Sequence, residues 1–155
     1  MNVATTKYAG KPVLVKFCYN YGADAHRILA AVGIALVLHS CFPICGLIIM
    51  DLVRGLSARH RFLSSELPPR VFEDVRRAIG ILHDAGLFFG DLRRPNIMVI
   101  GSGEKLHAML VDFDWARPAG TATYPPETNN TFVLKRRTKS SPGEYQEGTR
   151  SGNIR

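Results

Sequence analysis

The chain has 155 residues, 46% of them apolar, and a net charge of +7 from 20 Lys+Arg against 13 Asp+Glu. This composition excludes a disordered chain and a pair of full domains, and describes one globular domain. At this length roughly 68–70% of the unfolded chain's surface can be buried, so a core forms without disulfides or metals.

Cys18, Cys41 and Cys45 are odd in number and sit in apolar stretches. They point away from a secreted disulfide scaffold and toward a reducing, intracellular compartment, cytoplasm or nucleus. The start of the chain, MNVATTKYAG, has no apolar stretch after a basic head, so no secretory signal is expected.

Residues 13–17 (VLVKF) are a β-branched run after Gly10 and Pro12 and predict a strand whose one charge is Lys16. In residues 23–32, Ala25, Ile28, Leu29 and Val32 share one helical stripe, and Gly33 is the stop. Residues 28–50 then make 23 positions without Lys, Arg, Asp or Glu, long enough to cross a bilayer. His39, Ser40 and Cys41 sit in the middle of that run, Pro43 and Gly46 follow, and neither end carries Trp or Tyr. It reads equally well as a helix end, a turn and two buried strands, 35–41 and 46–53, forming an antiparallel pair.

The next helix is predicted over residues 68–85, with Val71, Val75, Ala78, Ile79 and Leu82 on its buried stripe. Arg70, Glu73, Asp74, Arg76 and Arg77 are expected to face outward, with Gly86 closing the helix. Residues 96–100 and 106–111 predict two strands joined by the Gly-rich hairpin loop 101–105. From about Ala119 the composition turns to Pro, Thr, Ser, Asn, Gly and charge, with six positive and three negative residues over 119–155. This is the pattern of a basic, disordered tail. Its run Lys135, Arg136, Arg137 and Lys139 reads as a solvated segment before it reads as a nuclear signal. Without the tail, 14 positive and 10 negative residues leave +4, which makes no strong case for nucleic acid.

The chemistry-bearing stretch is residues 89–96 (FGDLRRPN), followed after the hairpin by Asp112, Phe113 and Asp114. An Asp, an Asn five positions later, and a second Asp at the far end of a hairpin is the arrangement used in kinase-type phosphoryl transfer. In that chemistry the first acid orients the hydroxyl proton of the acceptor, while the Asn and the second acid hold Mg²⁺ against the nucleotide phosphates. Each piece alone reads blandly: Lys16 as an edge lysine, Asp91 as a turn residue, His83 as a structural residue ending its helix. A zinc reading of His39, Cys41 and Cys45 lacks a fourth ligand at suitable spacing.

With these residues in this order, the chain resembles the protein-kinase-like superfamily over residues 13 to about 129. The likeness is nearest to the fungal-type kinase-like proteins and more distant to small-molecule kinases of the aminoglycoside phosphotransferase type; residues 124–129 (YPPETN) are similar to a segment of the fungal relatives. The resemblance implies an α+β, partial protein-kinase-like fold over residues 8–118, with 119–155 as tail. Its parts would be a remnant of the N-lobe sheet, the C helix, hinge, helix E, catalytic loop and metal-binding hairpin. It implies Lys16 as the phosphate-binding lysine with Asp24 as its C-helix partner, and the backbone of Asp51 and Val53 at adenine behind a Met50 gatekeeper. Asp91 would be the base, Asn96 and Asp112 the Mg²⁺ ligands, and Asp114 a second supporting acid. ATP and Mg²⁺ are the implied cofactors, and a protein or small-molecule hydroxyl is the implied acceptor.

The chain also departs from the family. Phe89-Gly90 stands where His-Arg is usual, so the arginine that would read an activation-loop phosphate is absent. No G-x-G-x-x-G precedes Lys16, so the first two strands and the phosphate-covering loop are expected to be missing. No helical pattern follows Asn129, which makes a fragment the expectation. Two rival functions follow: a catalytically inactive, pseudokinase-like interaction module, and a membrane-anchored protein spanning residues 28–50.

Overall fold

The structure, a computed structural model, describes residues 2–63 and 65–120. The expected tail from residue 121 on, with YPPETN and the basic run at 135–139, lies outside the described residues. Strands β1 (Asn2–Tyr8) and β2 (Lys11–Phe17) pair antiparallel, with Tyr8 opposite Lys11 and Val3 opposite Lys16. Their connection is Ala9-Gly10, with φ of 48° and 79°. Two positive φ values in a two-residue loop give the turn whose twist matches the flanking strands.

β1 corrects the expectation that no strand precedes Val13. Its threonines and its exposed Val3 and Tyr8 lack the apolar alternation of a buried strand. An edge strand does not need that alternation.

β3 (Leu38–Phe42) and β4 (Leu47–Asp51) complete a four-stranded sheet in the order β1-β2-β4-β3, antiparallel throughout. α1 (Ala23–Ala31) connects β2 to β3 and buries Ala25, His26 and Leu29, while Val32, just past its end, is exposed. The charge-free run 28–50 is thus the end of α1, a connection and two strands. No helix among the described residues is long and apolar enough to cross a membrane. The first of these strands starts at Leu38 rather than Ala35, because Ile34 and Ala35 are engaged elsewhere. The Ile34 carbonyl accepts the Leu110 N–H at 2.8 Å, and Ala35 makes a parallel bridge to Leu110.

The other half of the chain begins with β5 (Leu56–Ser57) and α2 (Ala58–Phe62), a helix too short for hydrophobic periodicity to announce. α3 (Pro69–Asp84) buries the stripe Val71, Val75, Ala78, Ile79 and Leu82 expected from its 3.6-residue period. Gly86, with φ of 69°, follows its C-cap and donates its N–H to the His83 carbonyl at 2.9 Å. Asp74 departs from the expected outward face: its carboxylate accepts the Ala108 N–H at 2.9 Å.

β6 (Leu87–Phe88) leads into the 3₁₀ turn Arg94–Asn96 and the hairpin of β7 (Ile97–Ile100) and β8 (His107–Leu110). β5, β7 and β8 form a three-stranded sheet, while β6 pairs with β9 (Arg117–Pro118). Leu29 and Ala25 of α1 share one core with α3, Ile97, Leu110 and Phe113, so the two halves meet on a common apolar seam.

Leu82→Ala, at the centre of that seam, is expected to lower stability by about 2–5 kcal/mol. Arg77→Ala on the solvent side should change it by less than about 0.5 kcal/mol. Urea unfolding midpoints of the two variants check the pair, and equal losses would contradict the assignment of the buried face.

Candidate active site

Lys16 lies on β2 between Val3 and Ile48 and is 2% exposed. A buried ammonium survives only with charged or hydrogen-bonding partners. Its Nζ donates to Asp112 Oδ1 at 2.7 Å and to Asp114 Oδ1 at 2.5 Å, with the Tyr21 ring centroid 5.7 Å away. Burial disfavours the charge on Lys16, yet the hydrogen bonds and charges of Asp112 and Asp114 outweigh it and leave the lysine above its ordinary pKa. Burial, helped by the neighbouring Asp112 charge, pushes the Asp114 carboxyl up against the opposing pull of Lys16.

The structure does not bring Asp24 to Lys16. Ala25, His26 and Leu29 define the inner face of α1, and Asp24 projects from the opposite side. It is 84% exposed and lies 3.4 Å from Arg27.

Asp112 adopts φ of 67°, a left-handed conformation that side chains other than glycine rarely take. The ring of Phe113, the next residue, is held between His26, stacked at 4.5 Å and 4°, and Phe89, edge-on at 5.3 Å. His26 Nε2 meets the Leu36 carbonyl at 2.8 Å. A carbonyl only accepts, so Nε2 carries the proton and Nδ1 accepts the Tyr21 hydroxyl at 2.5 Å. Burial, with a smaller push from Arg27, holds His26 down to about 4 despite the Leu36 hydrogen bond. Burial first, then the charge of Asp114, raises the Tyr21 hydroxyl far above the usual phenol range.

Asp91 and Asn96, 9% and 5% exposed, form the second group. The Asn96 amide donates to the Asp91 carbonyl at 3.0 Å and to Asp91 Oδ2 at 2.8 Å. Arg93 reaches the same Oδ2 with Nε and with Nη2, each at 3.0 Å. Asp91 Oδ1 and Asn96 Oδ1 have no hydrogen-bond partner among the described residues. The Asn96 carbonyl accepts the Val111 N–H at 3.0 Å, which closes the β7–β8 hairpin and seats Asn96 beside the strand exit that carries Asp112.

Between the two halves opens a cavity of about 360 Å³, lined by residues including Leu36, Asp51, Val53 and Met109. Met50 is buried in the small core behind it. The Asp51 N–H donates to the Val37 carbonyl at 3.0 Å, and its carboxylate accepts His39 Nε2 at 2.7 Å. His39 is thereby engaged away from Cys41 and Cys45. Among the described residues no group of three His, Cys, Asp or Glu is placed to hold a metal.

Among solved structures the chain is similar to the kinase PK-1 of Cydia pomonella granulovirus, with a TM-score of 0.64 and 20% identity over 79% of this chain and 50% of that one. The fold is a partial protein-kinase-like fold. The chain spans about half the length of the kinase it matches. No family model matches the chain, and no curated protein does.

Sequence reasoning missed Tyr21, His26 and Arg93 as site residues. His26 falls three positions before Leu29 on the inner stripe, a signal available to any reading that admits a neutral histidine as an apolar residue. The contact of Arg93 with Asp91 depends on the turn between them and leaves no mark in the spacing.

The folded-state value of His26 lies below its ordinary 6.5, so its contribution to stability is complete above that pH and is lost as pH falls toward about 4. Urea stability of the parent is expected to fall on acidification across this window with a component approaching ~1.4 kcal/mol per pH unit. His26→Gln should show a shallower slope. Identical slopes would contradict a buried neutral histidine.

Proposed function

We propose that the chain is the nucleotide-handling core of an ATP-dependent phosphotransferase that passes a phosphoryl group to a hydroxyl acceptor. One observation carries the reading: the buried Lys16, paired with Asp112 and Asp114, in a kinase-like fold that also joins Asp91 to Asn96. In this role Lys16 turns its ammonium from the two carboxylates to the α- and β-phosphates. Asp91, oriented through Oδ2 by Asn96 and Arg93, keeps Oδ1 for the acceptor hydroxyl and takes its proton. Asn96 Oδ1, Asp112 and Asp114 offer oxygen donors only, the set that suits Mg²⁺. When bound, Mg²⁺ supplies charge neutralisation on the phosphate oxygens.

The cavity beside Asp51 and Val53 is the proposed adenine site, and no hydrogen bond to the Val53 backbone is found among the described residues. Asp24 has no part in this reading. The fungal-type likeness belongs to the proposal as well, since residues 124–129, which help carry it, lie outside the described residues. So do the acceptor class and a cytoplasmic or nuclear location.

A second reading, an inactive interaction module, is favoured by the exposed Phe17 and Phe42. They flank Leu47 across three neighbouring strands and present an apolar patch on the sheet.

Thermal unfolding with and without Mg·ATP separates the two. At a nucleotide concentration of a hundred times Kd the parent is expected to gain about 2.7 kcal/mol, and Asp112→Ala to gain nothing. No shift in either folded protein would remove the nucleotide site and leave the interaction module.

A further inference from the structure

Residues 113–116, which follow Asp112, run between two glycines. On one side Gly22, the residue before α1, donates its N–H to the Phe113 carbonyl at 2.9 Å, and its own carbonyl accepts the His26 N–H at 3.0 Å. A Cβ at Gly22 would stand 2.5 Å from the Ala116 Cβ and 2.7 Å from the Ala116 carbonyl oxygen. On the other side Gly90 immediately precedes Asp91. A Cβ there would meet the Trp115 carbonyl oxygen at 2.3 Å and the Trp115 Cβ at 2.9 Å.

Gly22 has φ of −80°, open to any residue, so close approach alone requires glycine there. Gly90, with φ of 82°, needs glycine for its conformation as well. The obstructing atoms are backbone or Cβ, which cannot swing aside as the end of a long side chain does. The far end of the segment is pinned by β6–β9 pairing and by the Ala119 N–H on the Gly86 carbonyl at 2.8 Å.

We propose that Gly22 and Gly90 are positioning residues that clamp residues 113–116 from both sides and so hold Asp112 and Asp114 on Lys16. The role assigned to those acids rests on the phosphotransferase reading; the clamp itself is a steric property of the chain. α1 offers Lys16 no acidic partner, since its Asp24 faces solvent. What couples α1 to the acids is backbone contact at Gly22 together with the ring of His26 on Phe113.

Trp115 is the only tryptophan in the chain, so its fluorescence reports the clamped segment directly. Gly22→Ala and Gly90→Ala, each studied where it is fully folded, are expected to raise acrylamide quenching of Trp115. They should also speed labelling of Lys16 by an amine-reactive reagent severalfold, followed by peptide mass spectrometry. Gly103→Ala, in the β7–β8 loop, introduces a left-handed alanine at φ of 53° with nothing within 4 Å of its Cβ, and should leave both readouts at parental values. Clamp variants that fold and match Gly103→Ala in both readouts would overturn the proposal.

Should either variant not fold, hydrogen exchange on the unaltered chain decides. The Gly22 amide is expected to exchange as slowly as the interior of α3, and fast local exchange there would overturn the clamp. None of these measurements uses nucleotide. An absent Mg·ATP response would therefore defeat the phosphotransferase reading while leaving the clamp standing.

Discussion

A buried ammonium next to two carboxylates is the constraint around which the rest of this molecule is arranged. Lys16 stands on the inner face of the sheet and has almost no access to water. Its charge is tolerable only if Asp112 and Asp114 come to it, and both belong to the other half of the chain. The pairing therefore fixes the distance between the sheet and the β7–β8 hairpin. Asp112 itself adopts a left-handed backbone, a cost of order 1–3 kcal/mol that surrounding contacts must offset.

Those contacts are largely uncharged. Phe113 sits between His26 and Phe89, and the His26 ring is itself fixed by Tyr21 and Leu36. One aromatic stack thus ties α1 to the entry of the loop bearing Asp91, through the residue adjacent to Asp112. Because His26 is neutral and fully enclosed, it contributes shape and directed hydrogen bonds where a charged residue on α1 would have contributed an ion pair. The two acidic groups of the site differ accordingly: Asp112 and Asp114 answer a lysine, whereas Asp91 is oriented by an amide and a guanidinium.

What the chain reveals before folding follows the range of each interaction. The buried face of α3 is legible because five apolar residues recur at helical spacing within one element. The β7–β8 hairpin and the Asp91–Asn96 spacing are legible because turn chemistry and loop length are local. β1 escapes detection because an edge strand needs no alternating apolar face, and α2 because five residues hold less than two helical turns. Asp24 misleads because sequence position alone does not say which face of α1 turns toward Lys16. The acidic partners of Lys16 in fact lie 96 and 98 residues downstream, and only the folded chain brings them near.

The backbone bond from Leu110 to Ile34 bears on the order in which the molecule can assemble. Ile34 and Ala35 are buried in a core shared with Ala108 and Leu110 of β8, and Leu36 and Met109 line the same cavity. The sheet half has no finished floor until the β7–β8 hairpin exists. During synthesis it must wait for more than seventy further residues to leave the ribosome, by the separation of 34 and 110. Closing so long a loop carries an entropic cost before any contact repays it. The cavity shares that dependence: Leu36 and Met109 line it from the two halves of the chain, so its wall is complete only when both are in place.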